Sequence, residues 1–317
     1  MKSLDEAKSD FLQLVSNLQN ASDVEKFLRW IKNEASEEIL SSSNSQERCD
    51  KRRHLAEIAS FCKTLAPNFE AICPTENIQA PVNDKEGLNL QNTFHLDAFL
   101  YDEVDVEELT NQGKIPTHLC TNCGIGKSHI KEIELMTHSC ARDDLEFIFD
   151  ALLPDLSGNK IVLDIGSRLG AVLFGAYVYS SAFKIVGVEM NTELANMSLS
   201  ATQRFQMTDR IEIVNSEMSK RVDILQSAHV IILNNVFDWF APVDIQVNLW
   251  QIIRQHVQKG ALMVTIPSLE EALEKLPKNG GINLHQWVRK SPPFRPSRLP
   301  SSEMEEKLES IHLYQVI

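Results

Sequence analysis

The sequence predicts an α/β protein built on a doubly wound parallel sheet, with a mainly helical region ahead of it. Residues 161–191, IVLDIGSRLGAVLFGAYVYSSAFKIVGVEMN, read as strand, glycine-containing turn, helix and strand. Short apolar runs recur at 210–215, 230–233 and 261–266, each set off by a segment of helical period. Such runs suit strands buried on both faces, as in parallel sheets covered by helices. The last nine residues, ESIHLYQVI, alternate as a closing strand would.

At 317 residues the chain has room for one large domain and a smaller one. We divide it into a helical region at 1–66, an irregular and helical segment with a CxxC turn at 67–140, and the sheet domain at 141–317. Net charge is −13, against wholesale binding to a nucleic-acid backbone, which needs clustered Lys and Arg. The basic clusters are Lys51-Arg-Arg53 and Arg289-Lys290 with Arg295 and Arg298, and the first reads as solvated surface. Residues 1–10 are polar, without the apolar core of a signal peptide, and no run reaches the roughly 18 apolar residues of a membrane span. The six cysteines then read as reduced thiols, and the expected location is cytoplasmic, nuclear or both.

In the amino-terminal region Leu4, Phe11, Leu14, Val15 and Leu18 follow helical spacing, and Ser22 or Asp23 offers an N-cap for Val24, Phe27, Leu28 and Ile31. Leu55, Ile58, Ala59 and Cys62 form a further stripe. These helices are candidates for covering the main domain or for binding a protein acceptor or partner. Residues 66–92, with Pro67, Pro74, Pro81 and Gly87, read as a linker, and 94–109 (FHLDAFLYDEVDVEEL) as a helix or two short helical turns. Cys120 and Cys123 form a CxxC turn followed by Gly124, with His138 and Cys140 downstream. Four such ligands make a structural zinc site, although one residue between His138 and Cys140 is unusual spacing; the alternative is a tight turn with two buried thiols. Leu145, Ile148, Phe149 and Leu152 mark a helix just ahead of the first sheet strand.

Within 161–191, Gly166 and Gly170 punctuate the turn, and Glu189 stands 19 residues after Gly170 at the end of the second strand. A glycine turn lets backbone approach a ligand at a helix N-terminus, and a carboxylate about 20 residues on can hold both ribose hydroxyls. Asp164-Ile-Gly166-Ser167-Arg168-Leu-Gly170 with Val-Gly-Val-Glu189-Met190 resembles the first two motifs of the class I S-adenosylmethionine-dependent methyltransferases. That family shows acid-x-Gly-x-Gly-x-Gly, and Arg168 replaces the middle glycine; its side chain either narrows the methionine end of the pocket or points to solvent. The dinucleotide fingerprint Gly-x-Gly-x-x-Gly/Ala would itself need glycine at 168, which leaves only Gly166 and Ala171 matching a dehydrogenase.

The resemblance continues downstream. It implies that Asp164 orients the glycine turn or the methionine amine, that Glu189 holds the ribose, and that Glu217 and Met218, ending the third strand, read the adenine. It puts Asn234, Asn235 and Phe237 at the tip of the fourth strand, to position an amine acceptor and wall the methyl-transfer channel. The Leu-Asn-Asn tip looks like that of the non-SET, disruptor-of-telomeric-silencing type histone lysine methyltransferases, although Asn234 and Asn235 also suit a plain turn. The closing strand is then the antiparallel strand that separates this family from dehydrogenases, and 277–300, rich in Pro, Gly and Arg, is a long loop or a lid. The implied activity is transfer of a methyl group from S-adenosylmethionine to a nitrogen on a protein or other macromolecule. Because the cofactor brings the activated methyl, no Ser-His-Asp or Cys-His arrangement is needed. Alternatives are a silent relative that uses the fold for binding, which Arg168 favours, and another nucleotide-binding enzyme.

Overall fold

The structure, a computed structural model, describes residues 4–18, 20–30, 43–66, 78, 87–120, 130–298 and 301–317. The chain divides into two compact units, Met1–His54 and Leu55–Ile317. The first contains helices α1 (Leu4–Ser16) and α2 (Ala21–Trp30) and the start of α3 (Ser43–Leu65). Phe11 and Phe27 stack at 6.4 Å. The cap of α2 is Asn20, one turn earlier than Val24, because its side-chain oxygen accepts the Asp23 N–H at 2.9 Å.

In the second unit, β1 (Thr93–His95) is followed by α4 (Glu103–Asn111), β2 (His118–Cys120), β3 (Ile130–Glu132) and β4 (Glu134–Met136). The expectation of helix from 94 is therefore corrected. Phe94 and His95 pair in parallel with Leu135 and Met136, and α4 begins only where Asp102 caps the Val104 and Asp105 amides. Asp97 joins the two ends of this segment, accepting from the Phe99 and Leu100 amides and from the Ser139 hydroxyl at 2.6 Å. Most of the expected linker at 66–92 lies outside the described residues.

Helix α5 (Arg142–Glu146) continues as a π-helical turn, Phe147–Leu152, and leads into the sheet. There follow β5 (Ile161–Ile165), α6 (Ala171–Tyr179), β6 (Lys184–Glu189), α7 (Thr192–Arg204), β7 (Ile211–Asn215), α8 (Val222–Ser227), β8 (Val230–Asn234), α9 (Val243–His256), β9 (Leu262–Ile266), α10 (Leu269–Glu274), β10 (Val288–Lys290), α11 (Ser301–Ser310) and β11 (His312–Val316). The sheet runs β10-β11-β9-β8-β5-β6-β7, with β11 antiparallel to both neighbours and the other pairings parallel. This is the class I methyltransferase arrangement, a doubly wound sheet with an antiparallel strand inserted near one edge.

Alternation along the strands explains the two layers. Val162, Ile185, Val230, Ile232 and Val264 share one core with α3, α5, α6 and α7; Leu163, Val186, Ile231, Leu233 and Met263 share the other with α8, α9 and α10. Both faces are covered, so each central strand is apolar on both sides. Residues 277–300 were expected as a long loop or a lid, and the described part, 277–298, contains an edge strand. Trp287 is buried, 288–290 form the edge strand, and Arg295 fills the carbonyls that the π turn leaves open, donating to Phe149 and Leu153. Helix α11 was not anticipated; Leu308 and Met304 pack it onto the first core.

Candidate functional site

Chain order reverses at β5, whose neighbours are β6 and β8. In open α/β sheets that point opens a crevice at the carboxyl ends of the strands, where ligands bind. One wall is the turn after β5 and the other the turn after β8.

The first wall is built by backbone. Gly166, Arg168 and Gly170 all have positive φ (73°, 47° and 93°). Glycine takes this conformation freely, whereas a side chain at 168 costs on the order of 1–2 kcal/mol. The Gly166 and Ser167 amides donate to the Val188 carbonyl at 2.9 and 3.2 Å. Glu189 fastens the turn to the end of β6: one carboxylate oxygen accepts the Arg168 N–H at 2.9 Å and the other the Asn191 N–H at 2.7 Å. Asn191 in turn caps α7, accepting from Glu193 and Leu194. Asp164 is buried one residue before the end of β5, where burial, with the Glu189 charge beside it, pushes its carboxyl up to about 8.

The second wall is built by side chains. The Asn235 N–H donates to the Ile266 carbonyl at 2.7 Å and Asn235 takes a φ of 47°, a conformation Asn tolerates better than most residues. A Cβ on Gly166 would run into the Val236 methyl group, so the two turns touch there. Phe237 turns away from the crevice and packs edge-on against Trp250 at 5.3 Å in the second core. Trp239 and Phe240 are instead each set edge-on at 4.8 Å against a histidine, His95 and His138 respectively. Lys275 pairs with Asp238 at 2.5 Å and holds this turn to the residue after α10.

Arg168 joins the walls. Its side chain is buried and its guanidinium carbon lies 5.6 Å from the Phe240 ring centre, so it spans the crevice from the glycine turn to the exit of β8. The alternative that it points to solvent is excluded by that burial. The two histidines beside it stay uncharged: burial first, then the Arg168 charge, lowers His95 to about 4 and His138 to about 2.

The remaining expected residues separate. Met190 is exposed beside Glu189. The Glu217 carboxylate is engaged by Lys220 at 2.9 Å on the surface, and the Met218 side chain is buried in the second core. Ser167 and Gly170 sit in the turn as expected, and Asn234 pairs in register with Ile266 at the strand end. Of the four expected zinc ligands, Cys123 and the Cys120 side chain lie outside the described residues. His138 Nε2 is engaged by His95 at 2.8 Å, and Cys140 lies in the first core, where burial raises its thiol well above the usual range. Among the described residues no group of three or more His, Cys, Asp or Glu could hold a metal, so zinc gains no support.

Sequence reasoning missed Trp239, Phe240, Val236 and His95. An aromatic pair directly after the fourth-strand tip was the available signal for the first two.

No protein-family model matches the chain, and no curated protein does. Solved structures to which it is similar include an RNA methyltransferase from Salinibacter ruber in complex with S-adenosyl-L-homocysteine (15% identity, 56% of this chain and 89% of that chain, TM-score 0.35). A precorrin-6y C5,15-methyltransferase from Geobacter metallireducens has 12% identity over 56% of this chain and 86% of its own (TM-score 0.35). Precorrin 8w decarboxylase from Methanobacterium thermoautotrophicum has 15% identity over 48% and 76% (TM-score 0.36). At such scores the likeness carries no argument about chemistry, and the fold rests on the strand order itself.

Proposed function

We propose that this chain is an S-adenosylmethionine-dependent methyltransferase whose cofactor crevice lies between the β5 and β8 turns. The observation that carries the reading is Glu189, buried at the carboxyl end of β6 and fastened to the glycine turn at the point where the sheet reverses. Its carboxylate has about four lone-pair positions, and two backbone amides use two of them. The others suit the paired hydroxyls of a ribose, which is the fit the cofactor requires. Bound there, the cofactor would supply an activated methyl on a sulfonium, so the protein needs no nucleophile of its own. Asn234 and Asn235 would position the acceptor, and Trp239 with Phe240 would exclude water from the far side.

For the acceptor we propose a nitrogen on a protein or other macromolecule, supported by the Leu-Asn-Asn tip and its likeness to the non-SET histone lysine methyltransferases. The amino-terminal helices, with Leu12 and Leu14 exposed, are the face we assign to a protein partner. A second reading, a binding module without turnover, is favoured by one observation: the buried Arg168 side chain reaches from the glycine turn to Phe240.

Incubation of the purified chain with tritiated S-adenosylmethionine and separated protein, nucleic-acid and small-molecule fractions tests both readings. The first expects label in the protein fraction that disappears with Glu189→Gln. Cofactor binding with no label in any fraction would favour the second.

A further inference from the structure

The residues that should meet a ligand at the glycine turn are covered. Ser167, Arg168, Leu169 and Glu189 are each at most 7% exposed. The segment that reaches this turn is 235–241, between the end of β8 and the start of α9. A glycine in such a turn lets another group come close to the backbone. At Gly166 the group that comes close belongs to the chain itself, since an added Cβ would lie 2.4 Å from a Val236 methyl carbon. Further along the turn, the Phe240 ring centre lies 5.6 Å from the Arg168 guanidinium carbon.

The segment belongs to no helix or strand, and it is bounded by Asn235, with a φ of 47°, and by Pro242, which precedes α9. Within it, the Phe240 and Ala241 amides both donate to the Phe237 carbonyl, at 3.1 and 3.0 Å. Three sets of side-chain contacts hold it down. Val236 meets Gly166, Asp238 pairs with Lys275 at 2.5 Å, and Trp239 and Phe240 stand edge-on against His95 and His138. Phe237, seated in the second core against Trp250, keeps the segment attached when those contacts release. We propose that 235–241 is a self-closing cover over the glycine turn: the structure is its closed state, and an adenosyl ligand binds the open one. This rests on the crevice reading above and adds a regulation of that site. A ligand that binds only the open state has its apparent affinity reduced by the open fraction, so loosening the cover strengthens binding.

Calorimetric titration of the full chain with S-adenosylhomocysteine, and amide hydrogen exchange without ligand, test the cover. Asp238→Asn should tighten S-adenosylhomocysteine binding by roughly tenfold, the scale of one charge-assisted contact. Val236→Ala leaves the ion pair in place and should tighten binding by a smaller factor. A contact that merely supported the site would change binding in the other direction when lost. In the ligand-free chain Asp238→Asn should speed exchange at the Phe240 and Ala241 amides by roughly tenfold and leave the β5 and β6 amides as they were. Binding that is unchanged or weaker in both variants, or exchange at 240 and 241 no faster than in the wild type, would overturn the cover. If no form of the chain binds S-adenosylhomocysteine, the crevice reading fails separately, and exchange alone decides. Acceleration confined to 235–241 keeps a cover that opens by itself; acceleration only together with β5 and β6 removes it.

Discussion

The two walls of the crevice are held by different kinds of contact. The β5–β6 wall is fastened by backbone: three residues of positive φ, amides donating to Val188, and one carboxylate gathering two further amides. The β8 wall is fastened by side chains drawn from far along the chain, with His95 and His138, 43 residues apart, packed on Trp239 and Phe240. A wall of the first kind tolerates little change in its turn but depends on few distant partners. A wall of the second kind stands only while its packing is complete, and it can rearrange when that packing changes. Arg168 belongs to the first wall and rests on the second, so it is where the two meet.

Substitutions can break either wall separately. The largest effect should come from Trp239→Ala, since the ring is buried among His95 and His138; a loss of roughly 3–5 kcal/mol is expected in chemical denaturation. Gly170→Ala attacks the other wall, because its φ is strained for a side chain and a Cβ would meet Ser198 Oγ at 2.5 Å and the Phe174 ring at 2.9 Å. Strain and overpacking together should cost about 2–4 kcal/mol by the same measurement.

The walls should also answer pH in opposite senses. Asp164 has a raised carboxyl, so the native state holds its proton longer than the unfolded chain, and stability declines as pH rises toward about 8. The histidines are lowered, so the unfolded chain takes up protons first, and they withdraw stability as pH falls below about 6.5. Between pH 6.5 and 8 Asp164 acts without them. Asp164→Asn should flatten the decline there, at most about 1.4 kcal/mol per pH unit for one proton. His138→Phe should soften the acid side and leave that window as it was.

A smaller effect is expected from Lys275→Met, which strands the largely buried Asp238 carboxylate and should cost about 1–2 kcal/mol. Met190→Ala, exposed at the mouth of the first wall, should change stability by less than about 0.5 kcal/mol.

The contrast between the walls is also a contrast in what the sequence discloses. Asp164, the glycine turn and Glu189 were legible because a strand, a turn and the next strand are contiguous, and their spacing carries the geometry. The β5-to-β9 strands were legible for the same reason, as apolar runs set between helical periods. His138 was read as a metal ligand because it and Cys140 could complete the set begun by the CxxC turn, whereas its partner is an imidazole contributed from β1. Phe237, the aromatic nearest the strand tip, turned into the second core, and the contacts with His95, His138 and Arg168 went to Trp239 and Phe240 two and three residues on. Nothing local distinguishes those directions. The edge strand at 288–290 was hidden among Pro and Gly residues, since a three-residue strand carries too little alternation to register.

The measurement that bears most directly on the central claim is calorimetric titration of the chain with S-adenosylhomocysteine and NADH, in the wild type and in Glu189→Gln. Saturable binding of S-adenosylhomocysteine that weakens by roughly tenfold or more with Glu189→Gln, and no binding of NADH, is the predicted result. No binding of S-adenosylhomocysteine at millimolar concentration, or binding of NADH in its place, would contradict the assignment of this crevice.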